Sequence, residues 1–308
     1  MRVKYNVDTH LIFQIGDPVD HATAPFLHNA MYDLANVNAI CTPVFVPRGH
    51  LPEFIQAVKT IGASGFDITM PHKSDIIPLL DECDEASRVF NCVNHVKLVD
   101  GKLIGIGLDG VGMGLAIADV TDTLEGKSVL ILGAGAVSGP IAADLCSRGC
   151  TRVTVANRTV EKAEHVAKTL ESVYHIDTAS GPLTEEFLEK AAAEADIVVQ
   201  CTSLGMMGSN QNYESLAFMD KLRPGTVCAD VLYPTSAFLQ RAEALGMTTV
   251  SGLGMLLNQQ IAMIDFRFGI KLPQECLKIA EESLVCAVAL RDLRDKRIAS
   301  ENYAKERH

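Results

Sequence analysis

Positive charge is scarce in this chain: 27 Lys and Arg stand against 38 Asp and Glu, a formal net charge of −11. Polyanion binding needs clustered cations, so nucleic acid is excluded as a partner class. The nine cysteines fall at irregular spacings without a Cys-x-x-Cys pair, which gives a disulfide framework or a zinc site no support. The opening residues MRVKYNVDTH carry no apolar signal core, and Gly, Pro or charge interrupts every apolar run before it reaches membrane-spanning length. Internal repeats and low-complexity linkers are also missing. These absences together predict a reduced, cytoplasmic protein with no metal and no membrane partner.

What is present is apolar mass: 48% of 308 residues are hydrophobic, enough for a large core and for two domains. Up to about Asp109, short apolar runs (LIFQIG, CTPVFVP, GFDITMP) alternate with helical patterns such as PFLHNAMYDLANV and LPEFIQAVKTIG. That alternation marks βαβ units and an open α/β sheet. From Lys127 the pattern restarts with KSVLILGAGAVSGPIAADLCSRG, and RVTVANR, ADIVVQCT, GTVCADVLY and MTTVSG follow as strands. A second, doubly wound α/β sheet is expected there, with only helices after Gly254 and a solvated, frayed terminus at ENYAKERH.

The segment GAGAVSG (Gly133, Ala134, Gly135, Ala136, Val137, Ser138, Gly139) follows a strand and opens a helix. Gly133 allows a tight turn, Gly135 lets backbone approach a pyrophosphate, and Ser138 keeps the next contact small, so the segment reads as a dinucleotide-binding turn. At the end of the following strand, where an acid would hold the ribose hydroxyls of NAD, stand Asn157, Arg158 and Thr159, with Lys162 one turn on. Cationic side chains there favour a ribose 2′-phosphate and hence NADP. Arg158 as an ordinary surface charge leaves NAD possible.

GDPVDHATAPFLHN, GFDITMPHK, NCVNHV, GIGLDG, GAGAVSG, ANRT, CTSLGM, DVLYP and GLGMLLNQQ occur in the order and at about the spacing of the shikimate dehydrogenase family, which the chain resembles from Gly16 to about Gly269. The resemblance implies a two-domain α/β enzyme that moves a hydride between NADP or NAD and a ring hydroxyl or ketone of shikimate, quinate or a related cyclic polyol or hydroxy acid. Residues 1–110 would be the substrate-binding and catalytic domain, 111–250 the doubly wound Rossmann domain, and 251–308 helices returning to the first. It implies Lys73 and Asp109 as the catalytic pair, because oxidising an alcohol needs a base beside the departing proton. Lys73 would serve if desolvation lowers its pKa. Read without the family, Lys73 is a snorkelling surface lysine and Asp109 a turn residue.

Other assignments carried by the resemblance are Asn94, Thr69 and Gln259 as substrate contacts, with Tyr233 at the edge of the site. Thr202, Leu204, Gly205, Met206, Leu232, Gly252 and Met255 would line the cofactor. Oligomeric state is left open between monomer and homodimer.

The departures lie on the substrate side. The family pattern HSxSPxxHN has two serines for the substrate carboxylate, and this chain has Ala22 and Ala24. Losing two hydrogen bonds to a charged group costs about 3–6 kcal/mol unless Thr23, which lies between them, compensates. The family's Asn in NVTxPxK is Asp67, the polar pair before Asp109 is Gly107 and Leu108, and His95 follows Asn94 in place of Thr. Asp67 is an acceptor that repels a carboxylate and suits a hydroxyl or an amine. A dehydrogenase with changed substrate preference is expected; the alternative is a cofactor-binding sensor without hydride transfer.

Overall fold

The computed structural model describes residues 5–19, 22, 24–206, 211–233 and 235–305. Its strands are β1 (His10–Gly16), β2 (Ala39–Phe45), β3 (Gly65–Ile68), β4 (Glu82–Cys83), β5 (His95–Val99), β6 (Lys102–Ile106), β7 (Ser128–Leu132), β8 (Arg152–Asn157), β9 (Asp177–Pro182), β10 (Ile197–Gln200), β11 (Val227–Asp230) and β12 (Thr248–Val250). The helices are α1 (Ala24–Leu34), α2 (Leu51–Ile61), α3 (Glu85–Val89), α4 (Leu108–Ala118), α5 (Ser138–Ser147), α6 (Val160–Tyr174), α7 (Glu185–Glu194), α8 (Ala237–Ala244), α9 (Gly252–Phe268) and α10 (Cys276–Lys305). Two compact units result, one made of residues 1–81, 95–104 and 263–308, the other of 82–94 and 105–262.

In the first unit β1 lies between β2 and β3 and runs parallel to both. The βαβ alternation ends there, because β5 pairs with β3 in the antiparallel sense. Asp100 and Gly101, with φ of 50° and 79°, form the tight turn that sends the chain back along β6, as an Asp-Gly pair between alternating residues favours. Ile12, Ile15, Leu27, Met31, Val58, Phe66 and Ile68 are buried at the centre of this unit, and α10 packs on α1. The helical C-terminus continues through Lys305.

The second unit has the strand order β12-β11-β10-β7-β8-β9, and every pairing is parallel. Its inner strands β7, β10 and β11 read as apolar runs because both faces are covered. Val129 and Ile131 project into one cluster with Val153, Val155, Ile197 and Val199, and Leu130 and Leu132 into the opposite cluster with Val198, Phe218 and Phe238. Edge strand β9 buries only Gly181, so it lacks the apolar run by which its neighbours are legible. Strand order reverses between β7 and β10, which is where sheets of this kind open at their C-terminal ends to take ligands.

Ile131 is fully buried in the central strand of that sheet. Ile131→Ala is expected to cost about 2–5 kcal/mol, seen as a lower urea midpoint for the second unit; an unchanged midpoint would contradict this account of the core.

Candidate functional site

The turn after β7 is shaped by the absence of side chains. Gly133 has φ of 105°, and a Cβ there would stand 2.9 Å from Thr202 Cγ2 and 3.1 Å from the backbone of Cys201. Bare backbone is therefore needed where the ends of β7 and β10 abut. At exposed Gly135 the nearest atom to an added Cβ is the Cys201 carbonyl oxygen at 3.9 Å, so this peptide faces open space. Ala134 N–H donates to Asn157 Oδ1 at 3.1 Å and Gly135 N–H to Ser138 Oγ at 3.1 Å. Among the described residues the amides of Ala136 and Val137, at the start of α5, have no protein acceptor.

Asn157 serves as a brace, since its Nδ2 also donates to Thr159 O at 2.8 Å. Arg158, Thr159 and Lys162 are exposed beside it. Spare amides at a helix N-terminus, an open glycine and neighbouring cations form a donor set that fits a dinucleotide pyrophosphate and a ribose phosphate. The residues thus fit the cofactor implied by the turn.

Polar side chains that the sequence reading passed over close the adjoining strands. Gln200, at the end of β10, donates from Nε2 to the carbonyls of Thr202 and Leu204, each at 3.3 Å, and accepts the Thr202 amide. Buried Asp230, at the end of β11, accepts from Leu232 N–H at 2.8 Å and from the Ser236 hydroxyl, and burial raises its pKa. These groups hold the segment with Thr202, Leu204, Gly205 and exposed Met206, and the one with Leu232 and half-exposed Tyr233. The available signal was a polar residue ending each apolar run. Gly252 sits on this second segment, its N–H donating to Leu232 O at 3.1 Å.

Three sequence-derived candidates meet in the second unit. Asn94 Nδ2 donates to Asp109 Oδ1 at 3.0 Å, and Gln259 Nε2 donates to the same oxygen at 2.8 Å. Asn94 Oδ1 accepts the Leu108 amide at 2.8 Å, which fixes the first turn of α4. Gln259 reaches Asp109 because Gly112 lets α9 come close: a Cβ there would fall 2.4 Å from Met255 O. All three polar side chains are buried, so the carboxylate is oriented by two amide donors.

In the first unit, Thr69 and Lys73 are half-buried just beyond β3. A side chain at Gly16 would stand 2.5 Å from Thr69 Cγ2, and buried His72 donates from Nε2 to Val46 O at 2.8 Å, anchoring the turn that carries Lys73. Ala22 and Ala24 are half-buried, and Thr23 lies outside the described residues.

Asp67 is enclosed by partners. His95 Nδ1 lies 2.5 Å from Oδ1, His28 Nδ1 lies 2.9 Å from Oδ2, and the Arg267 guanidinium spans both oxygens while donating to Tyr32 OH at 3.0 Å. Burial disfavours the charge, but Arg267, His28 and His95 hold the Asp67 carboxyl well below the usual range. Desolvation lowers His95, against the pull of Asp67. His28, Cys41 and Asp67 bring ligand atoms within 4.8 Å of one another, but the guanidinium on the same carboxylate repels a metal cation. Two departures noted separately in sequence, Asp67 and His95, are therefore one interaction.

Comparison with known proteins bears on most of the chain. Residues 14–96 match the model for the shikimate dehydrogenase substrate binding domain, and residues 115–234 the model for shikimate / quinate 5-dehydrogenase. A shikimate dehydrogenase (NADP(+)) of Alkaliphilus metalliredigens is 34% identical over 281 residues, 90% of this chain and 98% of the relative. Among solved structures, the ligand-free 5-ketofructose reductase of Gluconobacter sp. strain CHM43 superposes with a TM-score of 0.81 at 29% identity, covering 91% of this chain and 99% of the other. The shikimate 5-dehydrogenase of Listeria monocytogenes, in complex with shikimate and NAD, gives 0.84 at 26% identity over 92% of this chain and 99% of the other.

The buried cluster makes stability depend on pH. Unfolded His95 takes up a proton near its ordinary value of 6.5 while the folded residue resists, so the unfolded state binds more protons and stability is lost as pH falls below that value. Asp67 works at lower pH: its contribution is present above its unfolded value and lost only as pH drops through its depressed folded one. Urea midpoints should decline from pH 7 to pH 5, and less steeply in His95→Thr; equal slopes in both proteins would refute the assignment.

Proposed function

Since the chain belongs to the shikimate dehydrogenase family, we propose that this oxidoreductase transfers a hydride between NADP(H) and a ring hydroxyl of a cyclic polyol related to shikimate or quinate. The observation that carries the reading is the convergence of Asn94 and Gln259 on Asp109 Oδ1. Two amides that fix a buried carboxylate leave it able to orient a hydroxyl, and the resemblance assigns Asp109 to catalysis and Asn94 and Gln259 to substrate binding.

NADP is favoured over NAD by Arg158 and Lys162, which flank the glycine turn where an acid would otherwise accept ribose hydroxyls. The name of the relative from Alkaliphilus metalliredigens carries the same cofactor. Gly133 and Gly135 with the α5 amides would hold the pyrophosphate, and Arg158, Thr159 and Lys162 the 2′-phosphate. Bound there, the nicotinamide supplies the hydride acceptor or donor.

The remaining work falls to the chain's own residues. Lys73, on the turn anchored by His72, removes the hydroxyl proton during oxidation and returns it to the carbonyl during reduction. Asp109 orients that hydroxyl, and Thr69 binds a neighbouring one. With alanine at 22 and 24, the group beside the start of α1 is not held by two serine hydroxyls. The likeness to a 5-ketofructose reductase supports a substrate range wider than shikimate.

Lys73→Ala should lower kcat by about 10²- to 10⁴-fold and leave NADP affinity in place; retained kcat would remove Lys73 from proton transfer. In Arg158→Ala, loss of a charged hydrogen bond of about 1.5–3 kcal/mol should weaken NADP by about 10- to 150-fold and NAD hardly at all. Equal weakening of both cofactors would show that Arg158 does not read the 2′-phosphate.

A further inference from the structure

The Asp67 cluster is a group of buried polar side chains in the first unit that the proposed chemistry does not use. It draws on separate elements: Asp67 on β3, His95 opposite it on β5, His28 and Tyr32 on α1, and Arg267 on α9. The side chains of Asp67, His28, His95 and Arg267 are 2–4% exposed. An enclosed group of this kind must be close to neutral, and one guanidinium with one carboxylate meets that condition when both imidazoles are uncharged.

The carboxylate also dictates the tautomer. Ionised Asp67 only accepts, so an imidazole nitrogen 2.5 Å or 2.9 Å from it must carry its proton, even for His28, whose approach is outside good hydrogen-bond geometry. In a neutral imidazole the other nitrogen is then a lone-pair acceptor. Among the described residues neither Nε2 has a hydrogen-bond partner. Arg267 and Asp67 thus turn two histidines into two oriented acceptors, with ring centroids 6.0 Å apart.

Their position gives the acceptors a purpose. His28 follows Ala24 by four residues on α1, which places both on one face, and helical side chains lean toward the N-terminus, over the preceding turn. The imidazole therefore covers the turn where the family pattern has a serine and this chain has alanine. Asp67 and Thr69 are two residues apart at the end of β3, and His95 directly follows Asn94.

We propose that the Arg267–Asp67 pair is a specificity device that holds His28 and His95 as neutral acceptors, whose Nε2 atoms receive hydrogen bonds from substrate hydroxyls. The site then selects an uncharged polyhydroxy compound at the position where the family pattern binds a carboxylate, because two acceptor lone pairs attract O–H and repel –COO⁻. This rests on the dehydrogenase reading and adds the substrate class to it. Arg267, Asp67 and Tyr32 act as positioning residues, and the two imidazoles are the groups that meet substrate.

The test pairs kinetics with spectroscopy on the full chain. With NADP, turnover of quinate and shikimate is compared with that of their methyl esters and of myo-inositol. The neutral compounds should give the higher kcat/KM, and His95→Thr should raise their KM by about 2- to 10-fold with kcat little changed. Ala22→Ser/Ala24→Ser should shift preference toward the carboxylates. A preference of the parent protein for quinate or shikimate, or a His95→Thr variant with unaltered KM, would overturn the proposal.

If no compound is turned over although NADP binds, the dehydrogenase reading fails, and nitrogen-15 NMR of histidine-labelled protein still decides the inference. Both imidazoles must be protonated on Nδ1, and their Nε2 resonances must move on addition of quinate methyl ester or myo-inositol. Nε2-protonated rings, or resonances that stay fixed with both compounds at saturation, would refute it. The NMR arm uses the unaltered protein, so misfolding of a variant leaves the inference testable.

Discussion

A carboxylate removed from water must find its countercharge and its donors inside the protein, and in the first unit Asp67 imposes that demand. Its oxygens gather Arg267 from α9, His28 from α1 and His95 from β5. Loss of one partner from such a cluster leaves a buried charge uncompensated, which costs far more than the pair itself gains. The helix that carries Arg267 is thereby tied to Asp67, 200 positions earlier. The approach of both imidazole Nδ1 atoms and of the guanidinium follows from that single anion.

The second unit is organised by backbone. Parallel strands covered on both faces leave only their C-terminal ends for chemistry, and there Gly133 brings β7 against Thr202 where a side chain would collide. Gln200 and Asp230 then hold the neighbouring loops through amide and hydroxyl bonds. Such closed networks are rigid because every broken bond strands a buried polar atom. The same economy appears at Asp109, whose Oδ1 receives both Asn94 and Gln259. A turn with spare amides and an oriented carboxylate are the parts a pyridine-nucleotide dehydrogenase needs, and the glycine turn falls within the shikimate / quinate 5-dehydrogenase match over residues 115–234.

Much of the fold was legible in the sequence. The strands β7, β10 and β11 are apolar runs because both of their faces are buried, and GAGAVSG announced the turn after β7 by its glycines. Less legible were β9, a half-exposed edge with no apolar run, and the β5–β6 hairpin, whose signal was the single pair Asp100–Gly101. Among site residues, Asn94, Asp109 and Gln259 were named one by one from the family pattern. Gln200 and Asp230 were passed over because a polar residue at a strand end looks the same whether it braces a loop or meets solvent.

By itself the sequence determined the α/β class, the dinucleotide turn, the family and the places where this chain departs from the family pattern. Those are local or ordered-motif properties, written in spacing and residue type. Tertiary structure alone decided what the departures do. Asp67 and His95 are 28 positions apart and Arg267 lies 200 beyond Asp67, and no periodicity couples them. Only folding brings them within reach of one another, and only there do one acid, one arginine and two histidines become a single buried cluster.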